Sequence, residues 1–302
     1  MKLIHKVEES AIYESNKHSY PSLSLVAGNG RRRLKSYLLK ISIPSSSAPE
    51  SAFALLSHFA KSITRAHHAG AGSTSSIKFK AFQVIPLKLF IEELHSNSEL
   101  RGMAYTLTLK LLADIGTQLE QMRTTHSMFI PFLSLEDVVV VINQNEQQHQ
   151  DEKEEDEEKE REEAEEGRAR WDNKTFDFIF INSEKLTRQQ RGDAAATAAT
   201  AATAATYNTV IVDVPLKVNK HTSFLPTELP EIALKRLPMR LTTTSWCYSL
   251  SALCIYMLLQ HKFKNGEDDI ERIGRPFLHT SLYFCLKRCL KPDPEERVLL
   301  YV

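Results

Sequence analysis

The sequence predicts an α+β fold of two unequal lobes, with a strand-and-helix N-terminal part, a long helix, a strand pair, a long irregular segment and a helical C-terminus. Three observations carry this. Strand-like runs and one short helical stripe fill the N-terminal part, a single long amphipathic stripe follows, and the chain after Pro238 turns helical. In order, residues 37–43 (Tyr-Leu-Leu-Lys-Ile-Ser-Ile) alternate weakly and predict a strand. Residues 51–67 repeat apolar side chains at Phe53, Leu55, Leu56, Phe59, Ala60 and Ile63, a helix with Ser51 as its cap. Residues 78–89 predict another strand, stopped by Pro86. Over 100–122, Leu107, Leu111, Ile115 and Leu119 recur at spacing four and predict one long helix. The runs 138–142 and 176–181 predict strands, 209–214 a third, and helices are expected over 243–260, 280–290 and from 295 onward.

The 302 residues hold 38 basic and 38 acidic side chains with 42% hydrophobics, a composition that excludes collagen-like and wholly disordered chains. The balance of charge is local. Residues 151–166 contain 12 acids and 3 bases, so the rest carries 26 acids against 35 bases and forms a body near +9. Residues 143–170 are rich in Gln, Glu and Lys with almost no apolar side chain, and 187–207 include an Ala-Ala-Thr repeat; both are expected to be disordered inserts. Arg31-Arg-Arg33 is a basic patch without an aromatic platform, which reads as a solvated cluster and does not favour nucleic acid as partner.

Cys247, Cys254, Cys285 and Cys289 contain no Cys-x-x-Cys pair, and three of them sit in apolar runs, so thiols in a reducing compartment are expected rather than a zinc site. Residues 1–10 are polar and lack the apolar core of a signal peptide. The apolar run 246–259 is 14 residues long, short of the roughly 20 that a membrane span needs. The expectation is an intracellular chain, cytoplasmic or nuclear, with no membrane partner.

Several short motifs sit in an order that resembles the eukaryotic-type protein kinase fold. Cys289-Leu-Lys-Pro-Asp-Pro-Glu-Glu-Arg297 is similar to the kinase run C-L-x-x-D-P-x-x-R, whose arginine pairs with the glutamate of Ala-Pro-Glu. That glutamate would be Glu228, in Phe224-Leu-Pro-Thr-Glu-Leu229. Residues 248–258 resemble the central helix that opens W-S-L-G, and Leu135-Glu-Asp-Val-Val-Val140 resembles the P-E-N-I-L-V end of a catalytic loop. The resemblance covers residues 25–302, and its compact style with insertions is similar to divergent kinase-like proteins of large DNA viruses. It implies residues 1–24 as an N-terminal extension, 25–86 as a trimmed β-rich lobe and 87–302 as the helical lobe.

What it implies for catalysis can be followed residue by residue. A kinase needs an Asp for the substrate hydroxyl, an Asn and an Asp on magnesium, and a lysine on the phosphates. Counting back from Asp137, the position of the general base falls on Phe132, which accepts no proton. Asp137 itself takes the place of the metal-binding Asn. The metal-binding Asp would be Asn182, after the strand 176–181; a rival alignment uses Asp213, only 14 residues before Glu228 where about two dozen are usual. Gly28-Asn-Gly30 resembles the start of a glycine loop whose third glycine is Arg33, and Lys40 resembles the strand lysine that holds phosphate. The resemblance therefore implies a catalytically impaired domain, a pseudokinase acting as a binding or regulatory scaffold on protein partners. Two alternatives stand beside it. One is an active divergent Ser/Thr kinase using ATP and Mg; the other is an interaction protein that docks basic partners through its acidic insert.

Overall fold

A computed structural model describes residues 2–7, 10–14, 35–42, 67–68, 74–144, 174–188, 209–212, 218–219, 221–229, 239–264 and 267–298. Five strands form an antiparallel sheet: β1 (Lys2–Val7), β2 (Ser10–Glu14), β3 (Lys35–Ser42), β4 (His67–His68) and β5 (Thr74–Ala81), in the order β1-β2-β3-β5-β4. Side chains two apart share a face, so Tyr37 and Leu39 go into the core together. Tyr37 lies opposite Phe79 and stacks on it, ring centroids 5.5 Å apart, while Leu39 lies opposite Ile12. Within the expected extension 1–24, β1 and β2 pair with each other, and β2 pairs with β3. β1 has the largely exposed, charge-rich pattern of an edge strand, which periodicity does not pick out, while β2 lies between β1 and β3 with Ser10, Ala11 and Ile12 buried. The expected helix 51–67 and the two inserts fall largely outside the described residues.

The strand expected over 78–89 ends earlier. After β5 comes β6 (Gln83–Pro86), and Leu87 begins α1 (Leu87–Ser96). Proline has no N–H to give, and its φ of −57° suits a helix entrance, so Pro86 caps α1. The long helix is likewise two: α2 (Ser98–Gly102) and α3 (Ala104–His126), parted at Met103.

A second sheet has the order β10-β9-β6, with β9 (Val138–Gln144) in the middle and β10 (Lys174–Phe180) at the edge. Val138 to Ile142 are all buried, which is why β9 reads as an unbroken apolar run rather than an alternating one. The edge of β10 has backbone groups to satisfy, and α3 satisfies them. Gln118 donates from Nε2 to the Phe178 carbonyl at 2.7 Å and accepts at Oε1 from the Phe180 N–H at 3.0 Å. Asp114 accepts the Phe178 N–H at 3.0 Å. Leu107, Leu111, Ile115 and Leu119 are buried, the stripe expected of the helix.

The other side of α3 meets α4 (Ser245–Leu259), an apolar helix buried on almost all sides. No described helix is long and apolar enough to cross a membrane. α5 (Ile270–Ile273) and α6 (Ser281–Cys289) follow, the latter capped by Thr280, whose hydroxyl accepts the Tyr283 N–H. Where a helix was expected from 295 onward, the described residues form a 3-10 turn, Pro294–Glu296, after which Arg297 is extended and turns into the core. All four cysteines are buried, and burial pushes the Cys247 thiol up to about 12.

Replacing Gln118 by Leu leaves the Phe178 carbonyl and the Phe180 N–H buried without partners. The expected loss in urea unfolding is about 1–3 kcal/mol, the cost of an orphaned buried polar group; a change within 0.5 kcal/mol, roughly that of a neutral surface substitution, would contradict this docking.

Candidate functional site

Two pairs of short strands and two 3-10 turns bring the chemistry together. β7 (Met128–Phe129) pairs with β11 (Thr187–Arg188), and β8 (Leu133–Ser134) pairs with β13 (Ser223–Phe224). β12 (Thr209–Val212) pairs with β14 (Met239–Thr242). Between β8 and β9 the turn Leu135–Asp137 closes a capping box. The Ser134 hydroxyl accepts the Asp137 N–H, and the Asp137 carboxylate accepts the Ser134 N–H at 2.7 Å. At the end of β10 the turn Ser183–Lys185 is capped by Asn182, whose Oδ1 accepts the Glu184 N–H at 3.1 Å. The Ile181 N–H donates to the Asp137 carbonyl at 2.8 Å and ties the two turns together.

Asp137 and Asn182, 45 residues apart, meet at this junction, both about 1% exposed. Asn182 donates from Nδ2 to Asp137 Oδ1 at 2.8 Å. Its amide orientation follows from its two partners, since the oxygen must face the Glu184 N–H and the NH₂ the carboxylate. The other carboxylate oxygen, Oδ2, accepts from the Lys185 ammonium at 2.6 Å. Lys185 also donates to Ser134 Oγ at 2.8 Å, and its Nζ lies 4.1 Å from the centroid of the Phe132 ring. An ammonium has three donors, and here two go to oxygens while the charge rests over an aromatic face. Ser134 Oγ already accepts from Asp137 N–H and Lys185, so its own proton goes to Ser223 Oγ at 2.8 Å.

The N-terminal hairpin leans on the same junction. The His5 ring bonds the Glu136 carbonyl at 2.7 Å, and Ser10 Oγ lies 3.4 Å from Ser183 Oγ.

Of the residues singled out from the sequence, the structure thus joins Asp137, Asn182 and Phe132. Phe132 is fully buried beneath the ammonium. Lys40 has its backbone in β3, opposite Ala11 and Ser76, and its side chain lies outside the described residues. Gly28, Gly30 and Asp213 also lie outside them. Sequence reasoning missed Lys185, Ser134 and Ser223. The signal for Lys185 was chemical: a carboxylate expected beside Phe132 in an apolar stretch needs a counter-charge, and Lys185 is the base nearest to Asn182.

Glu228 and Arg297 form a second ion pair, Arg297 fully buried and Glu228 partly so. Arg297 Nη1 donates to Oε1 at 2.7 Å and Nη2 to Oε2 at 2.8 Å, a bidentate fork. The remaining donors reach Thr227 Oγ1 and the carbonyls of Lys291 and Pro292, and the guanidinium lies over the Tyr248 ring. Burial pushes the Glu228 carboxyl up, but hydrogen bonds from Arg297 and Ser245 outweigh it and hold the group below its ordinary 4.5.

The magnesium that the kinase resemblance implies does not suit the Asp137–Asn182 pair as built. Divalent cations need several oxygens at close range. Here both oxygens of Asp137 are engaged by protein donors, and a cationic side chain already neutralises it.

No protein-family model matches the chain, and no curated protein sequence matches it. Among solved structures it is similar to kinase domains. A rhoptry kinase from Toxoplasma gondii is 12% identical with a TM-score of 0.48, over 99% of this chain and 73% of that one. A Toxoplasma gondii specific rhoptry antigen kinase domain is 12% identical with a TM-score of 0.48, over 99% and 76%. The Cydia pomonella granulovirus kinase PK-1 is 10% identical with a TM-score of 0.49, over 100% and 90%. The fold is α+β with kinase domains among its structural neighbours, and the residue roles below rest on the chain's own geometry.

Glu228→Gln leaves Arg297 buried with half its charge-assisted partners gone, an expected loss of about 3–5 kcal/mol at neutral pH. A carboxyl whose folded pKa is depressed contributes stability above its unfolded pKa and loses it as pH falls through the folded value. The gap between the native chain and Glu228→Gln, read by urea unfolding, is therefore full at pH 7 and narrows below about pH 4.5. A gap that does not change with pH would contradict the pairing.

Proposed function

We propose that this chain is a protein-kinase-like domain that has lost standard phosphotransfer and works as a binding or regulatory module for protein partners. The observation that carries the reading is Phe132 beneath the Lys185 ammonium. Where the resemblance requires a carboxylate to take the substrate hydroxyl's proton, the chain has a buried phenyl ring. Losing a positioned general base forfeits about 10²–10⁴ in rate. Around that position the chain's own order supports the kinase-like reading. A turn bearing Asp137 precedes the hairpin β9–β10, Asn182 follows it and returns to Asp137, and Glu228 meets Arg297 across a span of 69 residues.

The strand β13 adds to this. Ser223–Phe224 lies directly on β8, and the Ser223 hydroxyl takes the proton of Ser134. The segment running to Glu228 is thereby fastened to the turn that would otherwise meet a substrate hydroxyl.

The test is phosphotransfer from radiolabelled ATP to generic acceptor proteins and to the chain itself, with Lys40→Ala alongside. The expected result is no transfer above that of the Lys40→Ala chain, with or without magnesium. Transfer that Lys40→Ala abolishes would show a working kinase and overturn the reading.

A further inference from the structure

We propose that Lys185 is a resident cation that takes the place of a divalent metal at Asp137 and Asn182, closing a latent cation site built from Asp137, Asn182 and Ser134. The inference deepens the reading above and uses it only to say which role the site has given up. Its geometry stands on side chains alone.

A buried carboxylate in this setting has two ways to remain charged, an inorganic cation or a basic side chain. Asp137 Oδ1 and Oδ2 and Ser134 Oγ, which would serve the first, are present at the junction, and Asn182 would add its Oδ1 by turning its amide over from the Glu184 N–H. Hard divalent cations take such carboxylate, amide and hydroxyl oxygens together with waters. In this chain Lys185 reaches the same place from the turn after β10. Its Nζ contacts Asp137 Oδ2 at 2.6 Å and Ser134 Oγ at 2.8 Å, with its side chain only 8% exposed. The Phe132 ring on the remaining side offers a π-face, which attracts an ammonium but supplies no oxygen to a hydrated metal ion. Phe132 and Lys185 are therefore one device. The aromatic ring replaces an oxygen donor, and the lysine replaces the charge that the donor set would have bound. The serine chain from Ser134 to Ser223 carries the device on to β13, so that the strand pairing and the resident cation support each other.

The experiment is Mn²⁺ titration of the full chain, read by water proton relaxation and by the melting temperature. The native chain, Lys185→Ala, and Lys185→Ala with Asp137→Asn are compared. The acidic run 151–166 takes up Mn²⁺ in all three, so the site is the Asp137-dependent difference. Lys185→Ala is expected to gain that Asp137-dependent binding, at least about tenfold tighter than any in the native chain, and to recover melting temperature as Mn²⁺ is added. The double variant gains neither. Asp137-dependent Mn²⁺ binding by the native chain, or a folded Lys185→Ala that takes no Mn²⁺, would overturn the proposal.

Should Lys185→Ala not fold with or without Mn²⁺, the native chain decides by ¹⁵N NMR of its lysine ammonium groups. The Lys185 signal, identified by its loss in Lys185→Arg, is expected to exchange slowly with water and to stay sharp as Mn²⁺ is added. Broadening of that signal overturns the proposal. Phosphotransfer by a chain that still keeps Mn²⁺ from Asp137 would sink the functional reading and leave this one standing.

Discussion

Asp137 sits almost wholly out of water at the meeting point of β8, β9 and β10, and a carboxylate so placed stays charged only if the protein supplies what water gave up. It receives a backbone N–H from Ser134, an amide from Asn182 and an ammonium from Lys185. The donors come from two stretches of chain, Ser134 before β9 and Asn182 with Lys185 after β10, so meeting this one requirement fixes the turn before β9, the turn after β10 and the distance between them. The second sheet follows from it, because β9 and β10 are the arms that leave those turns. Through Ser134 and Ser223 the same requirement reaches β13, and through the Glu136 carbonyl it reaches the N-terminal hairpin.

The Glu228–Arg297 pair answers a similar need at the far end of the chain. Arg297 is the largest fully buried side chain among the described residues, and its donors reach Glu228, Thr227 and two backbone carbonyls. Holding it there pulls residues 297–298 out of helical geometry, which is why the last turn stops at Glu296. Two buried charges thus pin the segment between them, one through the Ser223 strand and one through Glu228. Residues 223–228 are held at both ends by contacts within the protein.

Much of the frame was legible because it depends on local periodicity. The Leu107–Leu119 stripe of α3, the valine run of β9 and the all-apolar α4 each declare burial within a few turns of chain. Misreadings came where a local sign has two meanings. Pro86 ends a strand as readily as it opens a helix, and only the burial of Leu87, Phe90, Ile91 and Leu94 on one face decides for the helix. β1 was illegible as a strand because its edge position leaves Lys2, Lys6 and His5 partly in water, and β2 is only five residues long. In the site, Phe132, Asp137 and Asn182 were placed by resemblance of motif. Lys185 was not, since its partner is 48 residues away and no spacing rule links an ammonium to a carboxylate at that distance.

The account rests on Lys185 and Asp137 acting as one unit, and a double-mutant cycle measures that directly. Lys185→Met, Asp137→Asn and the double variant would be compared in urea unfolding with a chelator present throughout. The prediction is that each single change is strongly destabilising while the double costs much less than their sum, with a coupling of about 2–3 kcal/mol. Costs that simply add, within about 0.5 kcal/mol, would show that the ammonium and the carboxylate do not depend on each other and would contradict the account.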